Sequence, residues 1–165
     1  MPNKKRSLEI HEDLTFERRE WRVQRVGWGV LALLLLLGLL GAFGNGPLSH
    51  ADASAGALRV SYERFAHAQA PTTVIIHVSA PGTNPVRIAI NNEYLDALSV
   101  DHIRPTPLRA ESNGDDAIYE FAGPSAGELR ITLDGTPQKP GLPAATIRLQ
   151  GPKTSTVGIR QLVYP

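Results

Sequence analysis

The chain has 165 residues, a net charge of +1 and no cysteine. That length leaves room for one domain beside a membrane segment. The balanced charge gives no reason to expect nucleic acid as a partner, and the lack of cysteine removes disulfides, thiolate nucleophiles and cysteine-ligated metals.

Residues 1–12 hold few apolar side chains and read as a flexible cytoplasmic tail. From Asp13 the pattern changes. Asp13 or Thr15 can cap a helix, and Leu14, Trp21 and Trp28 recur at seven, as do Phe16, Val23 and Val30. The spacing predicts one juxtamembrane and transmembrane helix over residues 13–44. Residues 26–44 read VGWGVLALLLLLGLLGAFG, and no charge appears between Arg25 and Asp52. At 1.5 Å per residue this run is about 28 Å long as a helix, close to a bilayer core of about 30 Å.

Seven basic residues precede the run (Lys4, Lys5, Arg6, Arg18, Arg19, Arg22 and Arg25) and none follows it until Arg59. The positive-inside rule then puts the N-terminus in the cytoplasm and the C-terminal domain outside. Arginine outnumbers lysine 13 to 4 and alanine is abundant, which we read as a bacterial coding bias. The expected location is the bacterial inner membrane with a periplasmic domain. Trp21 and Trp28 fall where an aromatic belt sits. Arg18, Arg19, Arg22 and Arg25 either lie beside anionic headgroups, at about 1 kcal/mol each, or simply set topology. Gly38, Gly41 and Ala42 make a small face that would admit the helix of another integral membrane protein. The plainer reading is that small residues are common in membrane helices.

A cleaved signal peptide is the competing interpretation. Ala51-Asp52-Ala53 and Ala53-Ser54-Ala55 both have the form of a cleavage site. The leader is long and mixed in charge, however, the apolar run exceeds the usual 7 to 15 residues, and both sites lie well beyond it. An uncleaved anchor is therefore expected.

Gly44-Asn45-Gly46-Pro47 is expected to end the helix. Residues 45–57 are small and polar and read as a tether. From Leu58 the period becomes two, with Leu58, Val60 and Tyr62 alternating with Arg59, Ser61 and Glu63. Further runs cover residues 72–80, 86–90, 100–104, 117–121, 129–133, 145–149 and 156–163. Turn residues separate them, among them Asn113-Gly114, Gly123-Pro124 and Pro140-Gly141. Residues 91–98 are ambiguous, with room for one helical turn. About eight strands without a crossover helix predict an all-β domain over residues 58–165, an antiparallel immunoglobulin-like sandwich.

Candidate chemistry is weak throughout. Gly123-Pro124-Ser125-Ala126-Gly127 matches G-x-S-x-G, but strands flank it on both sides, whereas a nucleophile elbow needs a strand followed by a helix. It reads as a hairpin connection. His11, His50, His67, His77 and His102 show no metal-ligand spacing, and the initiator is the only methionine, which removes thioether ligation. Asp115-Asp116 reads as a polar turn. No cofactor is expected. The C-terminal run, if it forms a free edge, would suit strand addition by a partner.

The leader WRVQRVGW, the helix exit GAFGNGPLS, the pair VSYERFAHAQAPTTVIIHV and the ending QLVYP together resemble small uncharacterised single-pass membrane proteins of proteobacteria with a β-sandwich on the far side. The resemblance implies a location and no activity. The expected function is that of a non-enzymatic, membrane-anchored accessory subunit. The alternative is a secreted periplasmic protein binding a glycan, a peptide or a metal.

Overall fold

The computed structural model describes residues 14–39, 49–79, 84–124, 127–151 and 154–165. The chain divides into two units, Met1–Leu39 and Leu40–Pro165. In the first, helix α1 spans Leu14–Leu39. The predicted end of the helix, with Gly41, Ala42 and the Gly44–Pro47 stop, lies outside the described residues. Along the helix Val26, Leu31, Leu34, Leu36 and Leu39 are all exposed. The stretch Trp21–Leu39 is long and apolar enough to cross a membrane, and a signal sequence near an N-terminus has the same properties.

The second unit is mostly β. Its elements are β1 (His50–Ala55), β2 (Leu58–Glu63), β3 (Phe65–His67), β4 (Thr72–Ser79), β5 (Val86–Asn91), α2 (Asn92–Leu98), β6 (Val100–Arg104), β7 (Arg109–Asn113), β8 (Asp116–Phe121), β9 (Glu128–Gly135), β10 (Ala144–Gln150), β11 (Ser155–Arg160) and β12 (Leu162–Tyr164). Two five-stranded antiparallel sheets run β1-β2-β4-β9-β6 and β11-β10-β5-β8-β7. A two-stranded parallel sheet joins β12 to β3.

Alternation explains the layering. In β4, Val74, Ile76 and Val78 are fully buried, while Thr73 and Ser79 face water. Ile131 and Leu133 do the same in β9, Ile88 and Ile90 in β5, and Val157 and Ile159 in β11. Both sheets turn these residues into one common core. Each fully buried aliphatic side chain contributes about 1.5–3 kcal/mol, and no disulfide supplements them.

The sheets have two ends. One gathers the start of β1, the β2–β3 corner, α2 and the β9–β10 connection. The other gathers the β1–β2 turn and the β6–β7 connection with Leu108, whose N–H donates to the Glu120 carbonyl at 2.7 Å.

Four features differ from the sequence expectation. The tether does not reach residue 57. His50–Ala55 is an edge strand, paired residue by residue with β2, so the β domain begins near residue 50 rather than 58. Its backbone bonds and the inward period-two alanines Ala51, Ala53 and Ala55 do what large apolar residues do elsewhere. Residues 92–98 form a full seven-residue helix, closed at Ser99 by a left-handed φ of 46°. Gly135 lets this helix close on the sheet, since a Cβ there would stand 2.8 Å from Leu98 Cγ. β3 and β7 are additional strands. Finally, the C-terminal run is two strands rather than one: β11 is an edge of its sheet, as expected, and β12 leaves it. The run breaks at Gln161, whose buried side chain accepts from Tyr94 Oη at 2.5 Å and donates to the Glu63 carbonyl at 2.9 Å. Leu162, Val163 and Tyr164 then pair with β3.

Candidate functional site

On α1, Trp21, Arg25 and Trp28 fall at i, i+4 and i+7, which puts them on one face. The Arg25 guanidinium sits 4.4 Å from the centre of the Trp21 ring, a cation–π contact. Trp21 and Trp28 are both exposed. Arg22 lies on the same helix, as do Arg18 and Arg19. Gly38 is exposed on the helix surface. Its predicted partners in the small face, Gly41 and Ala42, lie outside the described residues, so that face is not assembled here.

The outer face of the first sheet is polar. One row across neighbouring strands reads Ser54, Arg59, His77, Arg130. His77 Nδ1 lies 2.9 Å from Glu128 Oε1, and Ser61 Oγ donates to Asp52 at 2.5 Å. Asp134 accepts from Thr73 Oγ1 at 2.8 Å and pairs with Arg104. The hydroxyl bond first, then the guanidinium, hold the Asp134 carboxyl below its ordinary value. An open depression of about 520 Å³ lies on this face, lined by Asp52, Arg59, His77 and Glu128 among others. Most of its ionic groups already face a protein partner.

The outer face of the second sheet is likewise self-satisfied. Arg87 pairs with Glu120 at 2.8 Å, Arg109 with Glu111 at 2.7 Å, and Arg148 with Asp116. Ala89 stands between Arg148 and Ile118 in the ladder and is thereby buried on a face that otherwise meets water.

The sequence-predicted chemistry does not converge. Among the described residues no group of three or more His, Asp or Glu is placed to hold a metal. His77 is engaged by Glu128, and His67 Nδ1 lies 2.7 Å from the Ala68 carbonyl oxygen. Gly123 and Gly127 lie on the link from β8 to β9, which passes from one sheet to the other and so is not the hairpin connection expected from the sequence; Ser125 lies outside the described residues. Asp116 is taken up by Arg148, and the Asp115 carbonyl accepts from the Asn92 N–H at 2.7 Å. Burial raises the hydroxyl pKa of both Tyr94 and Tyr119 above the ordinary tyrosine value. Both are packing groups here.

One surface escaped the sequence reading. At the end of the domain where residue 49 joins it, Gly141 and Val163 exchange two backbone hydrogen bonds of 2.9 Å, and the Gln161 N–H donates to the Pro143 carbonyl at 3.1 Å. Between these bonds Leu142 and Leu162 stand opposite each other, 69% and 42% exposed. Leu162 pairs on its other side with half-buried Phe65, and the next pair, Tyr164 and His67, meets edge to face at 5.1 Å. Val163 and Ala66 point the other way and are buried. The Ser49 carbonyl accepts from the Arg64 N–H at 2.6 Å, beside Phe65. Ser49 Oγ is buried without a hydrogen-bond partner among the described residues, at an expected cost of about 1–3 kcal/mol. The available signal was Leu142, an isolated leucine among turn residues. No protein-family model matches the chain, and neither does any curated protein.

Proposed function

We propose that the chain is a non-enzymatic accessory or interaction subunit of a membrane complex. On this reading α1 anchors it in the bacterial inner membrane, N-terminus inside, and the β domain is presented in the periplasm. The observation that carries the proposal is the uncovered apolar surface of Trp21–Leu39, joined by nine residues, 40–48, to a β domain whose polar faces are largely self-paired. Such a helix surface requires lipid or another helix around it.

Two further points support the reading. Both candidate cleavage sites fall inside β1, so cutting after Ala53 or Ala55 would remove paired residues of an edge strand. The strand order also suits an immunoglobulin-like sandwich. In chain order β2, β4, β5, β6, β9, β10 and β11 take the places of strands A to G, with A-B-E-D in one sheet and G-F-C in the other. β1 is then an added edge, and β7–β8 a hairpin inserted between D and E beside strand C. Domains of this architecture commonly serve recognition, which fits a module that grips a second integral membrane protein.

The test is affinity purification from native membranes in mild detergent. A specific membrane-protein partner is expected, and replacing Gly38 and Ala42 with Ile should reduce its recovery if the helix contributes. A partner-free, monomeric preparation contradicts the reading. The alternative, a released periplasmic binding protein, requires a soluble mature chain beginning near residue 54.

A further inference from the structure

We infer that the row Leu142, Leu162 and Phe65, with Tyr164 and His67 beside it, is a membrane-contact surface that rests in the headgroup layer of the bilayer. The inference rests on the anchored reading above.

Three observations carry it. The row is continuous, since it crosses three adjacent chain segments with its side chains on one face and the buried Val163 and Ala66 on the other. Two of the three large hydrophobic residues exposed in the described part of the β domain are in it; the third, Leu108, is at the opposite end. Paired exposed leucines flanked by aromatic rings are unlike apolar residues scattered singly over a surface. The chain also joins the domain at this end, where the Ser49 carbonyl is bonded to the residue preceding Phe65. A chain that enters the domain at Ser49 from a bilayer brings this end to the lipid first.

The chemistry fits a headgroup layer. Aliphatic and aromatic side chains gain from the apolar boundary, while tyrosine and histidine keep a polar edge in water. Arg64, next to Phe65 in the chain, and Arg160, two residues before Leu162, are exposed and would suit anionic headgroups. Glu93 and Asp96 line the depression that adjoins Leu142 on the α2 side. They confine the favourable contact to the β3–β12 side.

The absence of cysteine makes the test direct. Full-length L142C, L162C and L108C proteins, each carrying a polarity-sensitive fluorophore, are reconstituted at one copy per phosphatidylcholine–phosphatidylglycerol nanodisc containing headgroup-spin-labelled lipid. Labels at 142 and 162 should shift to the blue and be quenched several-fold more than the label at 108. Equal, water-like spectra at all three sites overturn the inference, as does shielding at 142 and 162 without lipid quenching, which would mean protein covers the row. An L34C label read against acyl-chain spin labels separates the two proposals. If it is not quenched, the anchored reading itself has failed. If it is quenched while 142 and 162 remain in water, only the surface contact has failed.

Discussion

Leu34 on α1 and Val60 on β2 are both aliphatic, yet Leu34 is 49% exposed and Val60 is completely buried. The difference runs through the two units. The β domain provides its own solvent for apolar side chains, because each sheet covers the inward face of the other. Among the described residues the stretch Trp21–Leu39 has no such cover, and on the proposed function it finds it in lipid or in another protein. One unit is therefore complete in itself and the other is not. Substitutions should separate them cleanly.

The largest effect is expected in the common core. Ile76→Ala removes a fully buried side chain and should cost about 2–5 kcal/mol in denaturant unfolding, while the protein stays in the membrane fraction. Leu34→Arg does the reverse. A charge at the helix centre costs about 2.5–3.5 kcal/mol of insertion, so membrane retention should fall while the unfolding midpoint of the β domain holds. If Leu34→Arg unfolds the domain, or Ile76→Ala releases the protein, the division between the units is wrong.

Tyr94→Phe is expected to act within the domain alone. It leaves the buried Gln161 side chain without its donor, at about 1–3 kcal/mol. It also carries a pH signature. Burial raises the Tyr94 pKa, so the stability linked to its neutral form is fully present below its unfolded value near 10 and is lost as pH rises further. Thermal melts from pH 8 to 11 should show that alkaline loss, and Tyr94→Phe should flatten it.

The smallest effect concerns the exposed face. Asp134 has a lowered pKa, so its contribution is present above the ordinary carboxylate range near 4 and is lost as pH falls. Because the pair with Arg104 is solvated, Asp134→Asn should cost less than about 1 kcal/mol at pH 7 and shallow the acid side of the stability profile.

Much of this division was legible in the residues. The uncharged run 26–44 gave the helix, and period-two alternation gave β2, β4, β5 and β9. β1 was missed because HADASA has no large apolar side chain, although its alanines at 51, 53 and 55 already showed the strand period. That same spacing resembled a cleavage site, and local sequence does not distinguish the two. β7 was missed because all five of its residues are exposed; only Asn113-Gly114 pointed to the hairpin. The Leu142–Leu162–Phe65 row depends on a parallel pairing between residues nearly a hundred positions apart, which no local pattern encodes. The seven-residue spacing of Trp21 and Trp28 places both on one helix face, while the contact of Arg25 with the Trp21 ring needed the helix geometry to show it.

On the proposed function, α1 remains part of the mature protein and holds it in a membrane. The most direct measurement is the intact mass of the protein in native membranes washed at alkaline pH. A species retained after the wash, with a mass that includes residues 14–39, is expected. A soluble species whose mass begins near residue 54 would contradict it.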